Sequence, residues 1–88
     1  MLRYIVESPH TREECLRALD EMLAKSPETL GKFVWGCKSG DHTGYAIVDA
    51  ENEAKVRSML PSFLKDKTKV ISVEKFTVEQ IKSLHKAA

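Results

Sequence analysis

Two thiols and two imidazoles are the side chains of this sequence best suited to chemistry: Cys15 and Cys37, His10 and His42. Thiolate sulfur and neutral imidazole nitrogen both donate well to borderline-soft ions. A Cys₂His₂ set would therefore suit zinc, nickel or a similar divalent transition metal. Four residues separate His10 from Cys15, and four separate Cys37 from His42. Neither spacing is a zinc-ribbon or zinc-finger pattern. A plainer assignment weighs more on the sequence alone, because free cysteine is among the most often buried residue types. In it, Cys15 is a small hydrophobe on a helix face, Cys37 is the same on a strand, and the two histidines are exposed turn residues.

Other chemistry can be drawn from the same neighbourhood. A histidine at a cavity mouth could act as a general base, since imidazole titrates near neutral pH. Asp41 beside His42, or Glu7, could orient or assist it. Trp35, Tyr45, His42 and Tyr4 are the candidate lining of a small-ligand pocket. The bland counterparts are a turn at Asp41-His42 and a core or interface role for Trp35 and Tyr45. A base-stacking role is suggested by Thr43-Gly44-Tyr45-Ala46-Ile47-Val48-Asp49-Ala50, which resembles the RNP1 strand of RNA-recognition motifs. Tyr45 fits that strand. Thr43, however, replaces its basic residue, Ile47 a stacking aromatic and Ala50 its large final residue, and the first strand lacks a clear RNP2. Lys65-Asp66-Lys67 and Lys69 read as a solvated rim, and His85 as exposed.

The elements that must position these residues can be read from pattern. Leu2 to Ser8 is a β-branched run stopped by Pro9, hence a strand. Thr11-Arg12-Glu13-Glu14 is a capping box, and Cys15, Leu16, Leu19, Met22 and Leu23 follow at helical spacing until Ser26-Pro27. Lys32 to Lys38 alternates as a strand, with Phe33, Trp35 and Cys37 on one face. Ser39-Gly40-Asp41-His42 is turn chemistry, and Thr43 to Ala50 is the returning strand. Asp49 could cap a second helix that runs through Ala54, Val56, Met59, Leu60, Phe63 and Leu64 and is broken at Pro61. Lys69 to Lys75 is a fourth strand. Thr77-Val78-Glu79-Gln80 is a second capping box, opening a terminal helix through Ile81 and Leu84.

That order is βαββαβ plus a helix, the split βαβ or ferredoxin-like pattern, expected as one domain over residues 1–88. It implies an α+β fold with a four-stranded antiparallel sheet and helices on one face. Strand direction alone then brings the end of the first strand, the start of the first helix and the turn between strands two and three to the same end of the sheet. His10, Cys15, Cys37 and His42 meet there despite lying between positions 10 and 42.

Composition sets the bounds. The chain has 42% hydrophobic and 31% charged residues, an ordinary globular balance. Its net charge of +1 gives no general pull toward nucleic acid or an anionic membrane. No apolar run approaches the roughly 20 residues of a membrane span. The N-terminus runs straight into strand pattern rather than a signal peptide, so the expected location is cytoplasmic, with both cysteines reduced.

Neither face of the central strands is polar. One carries Phe33, Trp35, Tyr45 and Ile47, the other their smaller alternates, so whichever face the helices leave bare needs a cover: the terminal helix, a second subunit or a ligand. A homodimer through the sheet face is the simplest one, and a cavity beside the hairpin the natural ligand site. The element order, the helix broken at Leu60-Pro61-Ser62-Phe63-Leu64, and the closing Lys75-Phe76-Thr77-Val78-Glu79-Gln80-Ile81 resemble the dimeric α/β-barrel superfamily. Within it the chain is similar to small bacterial proteins of unknown function. That resemblance implies a homodimer with a cavity between sheet and helices. It admits cofactor-independent monooxygenases, isomerases, stress-response proteins and metal binders, and transfers no catalytic residue.

Overall fold

In the computed structural model, which describes residues 1–87, the chain runs β1 (Leu2–Pro9), α1 (Cys15–Lys25), α2 (Pro27–Gly31), β2 (Val34–Trp35), β3 (Thr43–Ala50), α3 (Glu53–Arg57), β4 (Lys69–Ser72) and α4 (Val78–Ala87). Short 3₁₀ turns fall at Cys37–Ser39 and Ser62–Leu64. The strands form one antiparallel sheet in the order β2-β3-β1-β4. The fold is thus α+β, as the pattern of elements implies. β1 and β3 make its spine, in register from Leu2 opposite Ala50 to Pro9 opposite Thr43.

Period-two alternation decides the faces. Tyr4, Val6 and Ser8 of β1 and Gly44, Ala46, Val48 and Ala50 of β3 are buried. The apolar members join Met22, Phe33, Val56 and Leu60 in one core. α3 ends at Arg57, well before Pro61, and α1 is stitched to the chain beyond α3 by the Lys25 ammonium, which donates to the Leu60 carbonyl, and by Arg17 stacked 4.0 Å over the Phe63 ring. Buried Ser8 and Thr68 share a hydroxyl hydrogen bond of 2.8 Å, which ties β1 to the start of β4.

Both capping boxes form. Thr11 N–H donates to the Glu14 carboxylate and Glu14 N–H to the Thr11 hydroxyl; Thr77 and Gln80 repeat the pair. Other expectations are corrected. α1 buries Ala18 and Met22, while Leu16 and Leu23 stay exposed, because the inward stripe centres one residue away from them. Ser26 does not merely end α1. Its hydroxyl accepts from Thr29 N–H and caps the short α2. Asp49 remains in β3, paired with Arg3, and the cap of α3 is Asn52. β4 ends at Ser72, short of Lys75.

The largest correction concerns the second strand. β2 is two residues long, and Cys37 lies beyond it in a 3₁₀ turn. Register pairs Val34 with Tyr45 and Trp35 with Gly44. Phe33 and Trp35 therefore face the core, and Tyr45 and Ile47 face the other way with Val34. The four aromatic and aliphatic side chains do not share a face.

The outer face carries Ile5 between Ile47 and Ile71 in one cross-strand row. α4 extends from β4 with Phe76, Val78, Ile81 and Leu84 exposed, in a molecule measuring 51 × 28 × 21 Å. No helix among the described residues is long and apolar enough to cross a membrane.

Candidate metal centre

Each candidate ligand is placed by a different local device. His10 follows Pro9 at the end of β1, where its N–H donates to the His42 carbonyl at 2.9 Å and extends the ladder by one step. That bond fixes the two histidines side by side, with ring centroids 5.6 Å apart. Cys15 is the first residue of α1, held there by the Thr11–Glu14 capping box and by Lys67, which bonds Glu14 from across the chain. Cys37 opens the 3₁₀ turn that Gly40 closes at φ +89°, a left-handed conformation costly for any residue with a Cβ. Asp41 then braces the returning strand: its carboxylate accepts from the Thr43 hydroxyl at 2.7 Å and the Tyr45 hydroxyl at 2.5 Å.

Convergence follows. One ligand atom from each of His10, Cys15, Cys37 and His42 lies within 4.8 Å of the other three. The Cys15 and Cys37 sulfurs are 3.5 Å apart, and His10 Nε2 is 3.4 Å from the Cys37 sulfur. Zinc bonds of about 2.3 Å to sulfur and about 2.0 Å to nitrogen make tetrahedron edges of about 3.8 Å for S–S and about 3.6 Å for S–N. The two closest contacts match those edges, and the widest separation exceeds them by about one ångström. The histidines are not exposed turn residues: His10 is 6% exposed and His42 half-buried. Their Nδ1 atoms are buried with no hydrogen-bond partner, a rarity for buried polar atoms.

The electrostatics suit ligation. Burial, and then the neighbouring His42, hold His10 below the usual imidazole pKa, so the neutral, ligating ring dominates at neutral pH. Burial, and then the adjoining Cys15 thiol, push the Cys37 thiol up, and a bound cation would favour its thiolate. Two thiolates cancel the charge of a divalent ion, and two neutral imidazoles add none. A half-buried site can thus take the ion without an uncompensated charge.

The remaining sequence-derived candidates are dispersed. Tyr4 is buried in the core. Trp35 stands on the core face, 5.8 Å from the His10 ring, and Tyr45 on the outer face. Asp41 is engaged by Tyr45 and Thr43, whose hydrogen bonds lower its pKa, instead of orienting His42. Glu7 stands opposite Tyr45, on the face away from the core. A surface hollow of about 520 Å³ lies at the far end of the sheet, beside Arg3, Ile47 and Asp49, not at the hairpin.

Two supports escaped the sequence. Trp35 packs so closely on Gly44 that a Cβ there would lie 2.7 Å from the ring. The brace from Asp41 to Tyr45 spans four residues of hairpin and needed the turn geometry to be recognised. No protein-family model, curated protein or solved structure matches the chain.

Proposed function

We propose that this domain binds a divalent transition-metal ion, zinc foremost, through His10, Cys15, Cys37 and His42. The observation that carries this is the convergence of four ligand atoms within 4.8 Å from two separate stretches of chain, residues 10–15 and 37–42. Four protein donors fill a tetrahedron and leave no open position for water. The role is therefore to hold, sense or carry the ion, or to be folded by it, rather than hydrolysis. An enzymatic role for the hairpin has less support, since Asp41 is already committed to Thr43 and Tyr45. A reducing cytoplasm would keep both thiols available as ligands.

Protein purified without an affinity tag should carry close to one equivalent of metal. Cobalt substitution should give the intense visible bands of a tetrahedral thiolate site. Cys37→Ser and His10→Ala should each weaken binding at least about tenfold, as loss of a ligand or its support does. Metal-free protein that gives no cobalt spectrum would end the proposal.

A second reading concerns assembly. We infer a ferredoxin-like protomer of the dimeric α/β-barrel type, paired with a second copy through its sheet. Its support is the uncovered row of Ile5, Ile47 and Ile71, joined to the exposed apolar ridge of Ile81 and Leu84 on the same chain. One copy thus carries both halves of a self-complementary interface, which a two-fold axis would close. Light scattering should give about twice the 9.9 kDa chain mass at micromolar concentration. A monomer at that concentration, with Ile47→Lys changing nothing, would sink it.

A further inference from the structure

We propose that Cys15 and Cys37 are a reversible dithiol–disulfide pair, and that closing the disulfide ejects the bound ion. The ejection rests on the metal-site reading; the disulfide chemistry does not. The two sulfurs lie 3.5 Å apart, and bonding at about 2.05 Å requires them to approach by about 1.5 Å. Neither cysteine is locked inside a sheet ladder. Cys15 begins α1, and Cys37 begins a three-residue 3₁₀ turn. Both are half-buried, open enough for a small reagent, whereas His10 beside them is buried.

The oxidant is a low-molecular-weight disulfide such as oxidised glutathione. One cysteine sulfur attacks a sulfur of the reagent, the reagent's S–S bond breaks, and one small thiolate leaves. The other cysteine sulfur then attacks the protein sulfur of that mixed disulfide. The Cys15–Cys37 bond forms and the second small thiolate leaves. The protein gives up two electrons, which the reagent's disulfide accepts. In the metal-loaded protein the two departing thiolates take two protons from solvent, and the ion loses both sulfur donors. Two imidazoles remain, a much weaker set for zinc, so the ion departs. Thiol reductants reverse the bond and restore the site.

The test uses the wild-type chain, so no variant has to fold. Metal-free and zinc-loaded protein are equilibrated in glutathione buffers of increasing oxidised fraction. Intact mass and thiol alkylation report the bond, and a colorimetric zinc indicator reports the ion. The expected result is loss of two hydrogens per chain, both thiols blocked together, and one zinc released per disulfide, all reversed by dithiothreitol. Cys15→Ser should stop at the stable glutathione adduct on Cys37. Thiols that stay alkylatable in fully oxidised buffer, or a wild-type chain that stops at the adduct, would overturn the redox pair. A disulfide that forms while zinc stays bound would overturn ejection alone. A disulfide that forms in a chain that never took up zinc or cobalt would refute the metal site while leaving the pair standing.

Discussion

The same device shapes the turn that leads into α1 and opens α4, yet the two helices come to different ends. Thr11–Glu14 and Thr77–Gln80 are both reciprocal capping boxes, with bonds of 2.9 and 3.2 Å in the first and 2.8 and 3.1 Å in the second. After the first, α1 buries Ala18 and Met22 and delivers Cys15 to the cluster with His10, Cys37 and His42. After the second, α4 leaves Ile81 45% and Leu84 59% exposed. A cap fixes where a helix starts. It does not supply the apolar burial that gives most helices their stability. The two ends of the molecule therefore differ in kind: the hairpin end is defined by its own contacts, whereas α4 and the outer sheet face leave apolar surface exposed.

The sharpest way to break this contrast is to truncate one buried and one exposed side chain. Met22 is 1% exposed, and Met22→Ala should cost about 2–5 kcal/mol by chemical denaturation, through lost transfer and an unfilled cavity. Leu84→Ala should change the stability of dilute protein by less than about 0.5 kcal/mol. If Leu84→Ala proves costly only at concentrations where the protein is dimeric, the contrast sharpens into an assembly role for α4. If it is costly in the monomer, α4 docks on its own chain.

Gly44→Ala probes the centre through its support. The added methyl would meet the Trp35 ring at 2.7 Å, and Trp35 in turn lies against His10. Overpacking of this kind costs about 1–3 kcal/mol. The displaced Trp35 should also weaken cobalt affinity, although Gly44 ligates nothing. A stability loss with unchanged affinity would show that Trp35 does not orient His10.

The sequence carried the end of the sheet with the His/Cys cluster further than the rest. Chain direction was enough to bring positions 10, 15, 37 and 42 to one end of the sheet, because strand order and helix starts are strongly patterned. It could not show that Cys37 turns out of its strand into a 3₁₀ segment, since the alternation of Phe33, Trp35 and Cys37 continues past the point where pairing stops. Nor could it fix register. A slip of one residue exchanges the faces of a strand, and here the pairing of Trp35 with Gly44 separates Trp35 from Tyr45. Nor does pattern alone locate the cap of α3: Asp49 and Asn52 are both good N-cap residues, and only the length of β3 chooses between them.

Acidification should loosen the end of the sheet that holds His10 selectively. The folded-state pKa of His10 lies below the ordinary value of 6.5, so between the two values the unfolded chain holds a proton that the folded chain lacks. Stability should therefore fall as pH drops through 6.5 toward the folded value, and cobalt affinity should fall with it. Denaturation midpoints at pH 7.5 and 5.5 compare the two, with His10→Gln expected to flatten the dependence. An unchanged slope in that variant would move the titration elsewhere.

The smallest effects return to the two caps. Thr11→Ala removes one half of the box in front of Cys15 and should cost about 1 kcal/mol of global stability, because α1 unfolds only with the core. The same change at Thr77 deletes an equal hydrogen bond, yet α4 can fray without opening the core. Thr77→Ala should leave the denaturation midpoint unmoved and lower only the helical circular-dichroism signal. Hydrogen exchange should agree, with faster exchange confined to α4. If Thr77→Ala instead shifts the midpoint by as much as Thr11→Ala, the two helices are equally anchored, and α4 must be packed in solution against the sheet face that Ile5, Ile47 and Ile71 expose.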